Sequence, residues 1–185
     1  MRQALKTEEK DEVSMVRRDL RQERQRNKYM RRKLKAKTPV KPDIKYKSVR
    51  LEKFINYIMY DGKKETSRKV VYEAMDAIKE KLKTEDPLET FELAMKNAGP
   101  VMEVRSRRIG GANYQVPREV RAERRLSLAM RWIIAAARAK KGSPMGNRLA
   151  EELISASKGE GEAIKKKDNT HKMAESNKAF AHFSW

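Results

Sequence analysis

Two short alternating runs that meet at a pair of glycines constrain this chain more than any other stretch. Val101-Met-Glu-Val-Arg-Ser-Arg-Arg-Ile109 is followed by Gly110-Gly111-Ala112-Asn113, and then by Tyr114-Gln-Val-Pro-Arg-Glu-Val120. Roughly alternating runs that bear Val, Ile and Tyr favour extended backbone, and Gly-Gly-x-Asn supplies the left-handed conformations of a tight reversal. The segment therefore predicts a two-stranded hairpin at about 101–120. Pro117 lies in the second run and has no backbone N–H, which a central strand does not tolerate but a ribbon with an open edge does. The expectation is a hairpin that stands alone as an arm.

The charges on this arm are of one kind. No lysine occurs between Asn97 and Ala139, whereas arginine occupies positions 105, 107, 108, 118, 121, 124, 125, 131 and 138. Guanidinium is a planar fork that grips a phosphate through two donors and stacks on a base, while ammonium is a mobile point charge. After residue 139 the choice reverses, with Lys140, Lys141, Lys158, Lys165, Lys166, Lys167, Lys172 and Lys178 against Arg148 alone. A merely solvated basic face has no reason to exclude lysine, so the arm reads as a nucleic-acid contact surface.

The whole chain carries the same message. Its 185 residues have a net charge of +19 and a pI of about 10.1, the electrostatic footprint of a polyanion partner. Residues 1–29 hold nine Lys/Arg and six Asp/Glu, so only +3 lies there and +16 lies in the remainder. That first segment has isolated apolar positions only and reads as a polar extension, solvated or disordered. Cysteine is absent, which removes disulfides and thiolate chemistry. No run approaches the roughly 20 apolar residues of a membrane span. Glu8, Glu9, Asp11 and Glu12 argue against an acid-poor transit peptide, and the reading is cytoplasmic.

Downstream, Arg31-Arg-Lys33-Leu-Lys35-Ala-Lys37 with Pro39 and Pro42 predicts a basic extended strip over 30–47. Helical periodicity then takes over. Ser48 is the N-cap of a first helix carrying Val49, Phe54, Ile55, Ile58 and Met59, stopped at Asp61-Gly62. A second helix spans about 66–83. Asp86-Pro-Leu-Glu89 has the residues of an N-terminal capping signal for a third, which ends at Gly99-Pro100. A fourth runs from about Arg121 to Lys140, with Trp132 assigned to the core. A fifth bears Leu149, Leu153 and Ile154, and a sixth runs from Ala163 to Phe180. The fold class is mainly α: one helical-bundle domain over 48–185, of about six helices, with a protruding hairpin between helices three and four.

No catalytic constellation is present. His171 near Asp168 and Glu175 reads as a polar helix surface or a phosphate contact, Gly110-Gly111 lacks the strand–turn–helix order of a phosphate loop, and the methionines fall at core spacing. The reading is a non-enzyme with no cofactor and no metal.

Several long segments are specific. Tyr46-Lys-Ser48, Asp61-Gly-Lys-Lys64 with Val70-Val71, Asp86-Pro-Leu-Glu89, Arg107-Arg-Ile-Gly-Gly-Ala-Asn-Tyr-Gln-Val-Pro117, Glu123-Arg-Arg125, Ala129-Met-Arg-Trp132 and Thr170-His-Lys-Met-Ala-Glu175 continue to Asn177-Lys-Ala-Phe-Ala-His182 and Trp185. On these the chain from about Arg31 onward resembles the bacterial small-subunit ribosomal protein seven family. The resemblance implies a helical bundle with a β-hairpin that binds small-subunit rRNA in the 3′ major domain and nucleates assembly of the head. It implies an rRNA surface of Lys33, Lys35, Lys37, Lys63, Lys64, Arg105, Arg107, Arg108, Arg118, Arg121, Arg124 and Arg125. The tip, Gly110, Gly111, Ala112 and Asn113, is expected to face the exit-site tRNA and the mRNA path. Ribosomal protein eleven and other head proteins are the expected protein neighbours. The alternative is an architectural DNA-binding protein with a basic β-arm. Such arms carry an apolar wedge at the tip, where this chain has Gly-Gly-Ala-Asn.

Residues 1–29 fall outside that resemblance. Their removal is expected to change stability by less than about 0.5 kcal/mol, the scale of a surface change that touches no packed feature. Urea titrations of the full chain and of the 30–185 fragment check this, and a larger loss means that the extension packs.

Overall fold

The structure, a computed structural model, describes residues 40–183. Lys33, Lys35, Lys37, the polar extension and most of the basic strip lie outside them. The element order is α1 (Val49–Ile58), α2 (Lys64–Leu82), α3 (Pro87–Ala98), β1 (Met102–Ile109), β2 (Ala112–Glu119), α4 (Ala122–Ala139), α5 (Met145–Ser157) and α6 (Glu162–Ser176), then a 3-10 turn over Lys178–Phe183. The mainly helical class, with its hairpin between the third and fourth helices, is as expected.

Local chemistry sets the helix ends. Ser48 Oγ accepts the Leu51 N–H at 3.4 Å and starts α1. Its apolar stripe buries Leu51, Phe54, Ile55 and Ile58. Asp61 and Gly62, both at positive φ, reverse the chain into α2. Asp86 occupies the N-cap of α3, but its carboxylate makes no capping hydrogen bond. What remains of that signal is Pro87, whose fixed φ suits the first helical position, and Glu89 in the first turn. The sixth helix is shorter than its periodicity predicts, because Asn177 ends it and Lys178–Phe183 winds more tightly.

The core lies among the helices. Phe54 of α1 meets Phe91 of α3 edge-on at 5.2 Å between ring centroids. α5 contributes Leu149, Ala150, Leu153 and Ala156 and packs against α2, α3, α4 and α6. Small residues permit that close approach: a Cβ on Gly146 would stand 3.0 Å from the Glu73 Cβ. Trp132 is half-buried against this core.

One buried charge organises the far side of α5. Glu152 is 1% exposed. Its Oε1 accepts the Ala163 N–H at 3.1 Å, at the start of α6, and its Oε2 lies 2.9 Å from Lys140 Nζ, at the end of α4. A carboxylate at a helix N-terminus is favoured by the helix dipole as well as by the hydrogen bond. Gly161 sits at φ +101°, where a Cβ would stand 2.9 Å from Oε1, so the approach excludes a side chain.

A second buried carboxylate fixes the chain leading into α1. Asp43 Oδ2 accepts the N–H groups of Lys45 and Tyr46, each at 3.1 Å, and Oδ1 accepts the Tyr72 hydroxyl at 2.8 Å. Residues 44–46 form a turn on α2 as a result. Lys45 Nζ also reaches Asp76 at 3.0 Å. Burial pushes the phenols of Tyr46 and Tyr72 above their ordinary value of 10.0, and for Tyr72 the hydrogen bond to Asp43 adds to this. The Asp76 hydrogen bond raises Lys45 above 10.5. In each case the folded state holds the proton more firmly. The contribution to stability is therefore complete below the unfolded pKa and disappears as pH rises through the folded one.

Stability should accordingly fall above about pH 10. Tyr72→Phe should cost about 1 kcal/mol at neutral pH and flatten that alkaline decline. Urea unfolding of both proteins at about pH 8 and about pH 11 checks this, and parallel pH profiles would contradict it.

Candidate nucleic-acid interface

The hairpin turns through two residues only. Gly110 and Gly111 have φ of 56° and 89°, and Ile109 pairs directly with Ala112. Positive φ at both central positions is the mirror-image turn whose twist matches a hairpin, and glycine adopts it without a Cβ penalty. Ala112 and Asn113 thus open β2, so the turn is tighter than the Gly-Gly-x-Asn reading. Paired residues share a face: Glu103 with Arg118, Arg105 with Val116 and Arg107 with Tyr114 on one side, Val104 with Pro117 and Arg108 with Asn113 on the other. Pro117 is accommodated because the sheet has two strands and each has an open edge.

The arm does not stand alone, however. Tyr114 packs between Phe180 and Phe183 of the 3-10 turn, with ring centroids 5.3 and 5.4 Å away. Arg107 Nη1 donates to the Phe183 carbonyl at 3.2 Å. At the root of the arm the Val101 N–H donates to His171 Nε2 of α6 at 3.0 Å. His171 therefore accepts a backbone hydrogen bond at the root of the arm, in addition to lying on the polar surface of α6. The sequence concealed this docking, since Phe180 reads as the continuation of a helical stripe.

Between the root of the arm and the start of α4 lies a cleft of about 520 Å³, lined by Glu103, Val104, Arg105, Arg118, Glu119, Arg121 and Arg124. Four residues of the expected surface converge here from three elements and the loop before α4. Arg105 and Arg121 are exposed, and Arg124 Nε is 2.9 Å from Glu103 Oε2. The carboxylate neutralises part of Arg124 and fixes its direction, leaving the cleft positive.

The other expected residues divide. Arg108 is exposed on the opposite face of the arm. Arg125 is half-buried; its Nε donates to the Gly99 carbonyl at 3.2 Å, and a Cβ on Gly99 would stand 2.9 Å from its side chain. It locks the end of α3. Lys63 and Lys64 lie at the α1–α2 turn, away from the residues lining the cleft. Lys64 pairs with Glu52, a carboxylate only 5% exposed, which Arg68 approaches at 4.0 Å. Lys63 is exposed and has no ion pair among the described residues. Among the described residues no group of three His, Asp or Glu side chains could hold a metal, and no helix is long and apolar enough to cross a membrane.

The fold is a helical bundle that carries an arginine-lined cleft beside a β-arm. Comparison with known proteins places the chain in a family. Residues 30–178 match the family model for ribosomal protein S7p/S5e. The small ribosomal subunit protein uS7 of Thermotoga neapolitana is 56% identical over 156 residues, covering 84% of this chain and all of that protein. That of Salinibacter ruber is 57% identical over 144 residues, covering 78% of this chain and 92% of its own length. That of Francisella philomiragia is 54% identical, covering 84% and 99%. The chain belongs to the ribosomal protein S7p/S5e family, and it is a structural constituent of the ribosome, not an enzyme.

Tyr114→Ala should release the arm while sparing the core. Amide hydrogen exchange at residues 106–115 should accelerate about tenfold or more with α5 unchanged, corresponding to a loss of roughly 1.4 kcal/mol or more of local stability. Unchanged exchange in the arm would show that the aromatic contact does not hold it.

Proposed function

We propose that the chain binds small-subunit ribosomal RNA in the 3′ major domain and helps to nucleate assembly of the head. The observation that carries this reading is the convergence of Arg105, Arg118, Arg121 and Arg124 on one cleft, in a chain whose relatives are named as small-subunit proteins. Arginine forks that approach from a ribbon and from a helix start suit a folded RNA junction, where phosphates are presented at mixed angles. Arg108 extends the contact to the second face of the arm, and Lys63 supplies a further phosphate contact at the α1–α2 turn. Lys33, Lys35 and Lys37, which lie outside the described residues, are further rRNA contacts in this reading.

The uncharged tip, Gly110 to Asn113, is assigned to a different neighbour. In this reading it lies beside the exit-site tRNA and the mRNA path, where a bare backbone approaches RNA closely without gripping it. The C-terminal segment is assigned to the contact with ribosomal protein eleven.

With about six to ten phosphate contacts, affinity for a head-junction RNA fragment should fall roughly 10³–10⁵-fold between about 50 and 200 mM salt. Arg105→Gln and Arg121→Gln should each lower the salt slope by about one. Filter binding across a salt series, with matched duplex DNA as competitor, checks this. A flat salt response, or equal affinity for the DNA, would contradict the reading.

A further inference from the structure

Arg124, Arg131 and Arg138 recur at seven-residue intervals on α4. Seven residues advance a helix by about 10.5 Å and return within roughly 20° of the same side, so the three form a row about 21 Å long. Its lower end is Arg124, in the cleft beside Glu103. At its upper end Arg138 Nη2 donates to the Ile58 carbonyl at 3.0 Å, in the last turn of α1. Arg131, between them, is exposed and has no carboxylate partner among the described residues. Its guanidinium carbon instead stands 5.6 Å from the centroid of the Tyr57 ring.

Tyr57 lies off the buried stripe of α1 and is 37% exposed, and Tyr60 is 73% exposed. The core accounts for neither ring. Tyr60 opens the turn in which its carbonyl accepts the Lys63 N–H at 3.0 Å, so an exposed aromatic ring and an ammonium with no ion pair among the described residues are joined by one tight loop.

We propose that Tyr57 and Arg131 form a stacking site for an unpaired RNA nucleotide, with Tyr60 and Lys63 at its margin, on a strand that follows the α4 arginine row out of the cleft. The inference rests on the RNA-binding reading above and adds a specificity to it. Bases in an A-form duplex are covered by their neighbours, so an aromatic ring can stack only on a base that is splayed out. Arginine over a tyrosine suits that role, because the ring and the guanidinium plane both stack on bases. The fork that is not paired with a carboxylate remains available to the adjoining phosphate. Stacking tolerates any base, so the site selects for an unpaired nucleotide and not for a sequence.

The test uses the full chain and two three-way-junction RNAs that differ only in one unpaired 2-aminopurine, present in one and base-paired in the other. The native chain should quench the 2-aminopurine fluorescence and bind the unpaired form about tenfold more tightly. Tyr57→Leu, a change at a partly exposed position, should abolish both the quenching and the preference while leaving affinity for the paired form. Tyr57→Phe should retain both, and Arg131→Gln should reduce the preference and lower the salt slope by about one. Equal affinity of the native chain for the two RNAs, or a Tyr57→Leu protein that still prefers the unpaired form, would overturn the stacking site. Failure of the native chain to bind either RNA at low salt would overturn the RNA-binding reading as well.

Discussion

The buried carboxylate of Glu152 determines where the arm can be. One oxygen takes a backbone N–H at the start of α6 and the other faces Lys140 at the end of α4, so three helices meet at one ion. Breaking a buried pair by removing one partner typically costs about 3–5 kcal/mol, because the remaining charge is left uncompensated. The consequence here extends beyond stability. α6 delivers His171 to the Val101 N–H and continues into Phe180 and Phe183, against Tyr114. The hairpin thus takes part of its direction from the seat of α6, beside the Glu103–Arg124 pair that ties β1 to α4. A ribbon of two strands is marginal by itself, and here the C-terminal segment supplies the packing that a third strand would give.

The arginines do two kinds of work, and the exclusion of lysine serves both. Arg107, Arg125 and Arg138 each donate to a backbone carbonyl in a different element, and Arg124 to a carboxylate. A fork with several donors can make one such anchor and still present other N–H groups outward, which a single ammonium does less well. Arg105, Arg108 and Arg121 are exposed and complete the positive surface. The arm is therefore both anchored and basic through the same chemical group. Lys64 shows the contrast: its charge sits against the buried Glu52 and steadies the α1–α2 junction.

Much of this was legible in the sequence because it is local. Alternation around Gly110-Gly111 specifies a hairpin, and the 3.6-residue stripes specify six helices, of which the sixth ends earlier than its stripe suggests. Ser48 announced its cap. What stayed hidden depends on pairs distant in the chain. Nothing near Glu152 marks it as a buried partner of Lys140, and nothing near His171 points to Val101, 70 residues away. Asp86 misled in the opposite sense, since a residue of the right type at the N-cap makes no hydrogen bond there. The candidate surface divided along the same line. Composition identified the arginines, but only tertiary structure separates those in the cleft from Arg125, which holds the end of α3.

Ultraviolet crosslinking in living cells, followed by identification of the joined peptide and nucleotide, tests the central claim most directly. Crosslinks from the segment 101–125 to small-subunit rRNA of the 3′ major domain are the expected result. Crosslinks from that segment to DNA, or crosslinks to rRNA that leave it out altogether, would contradict it.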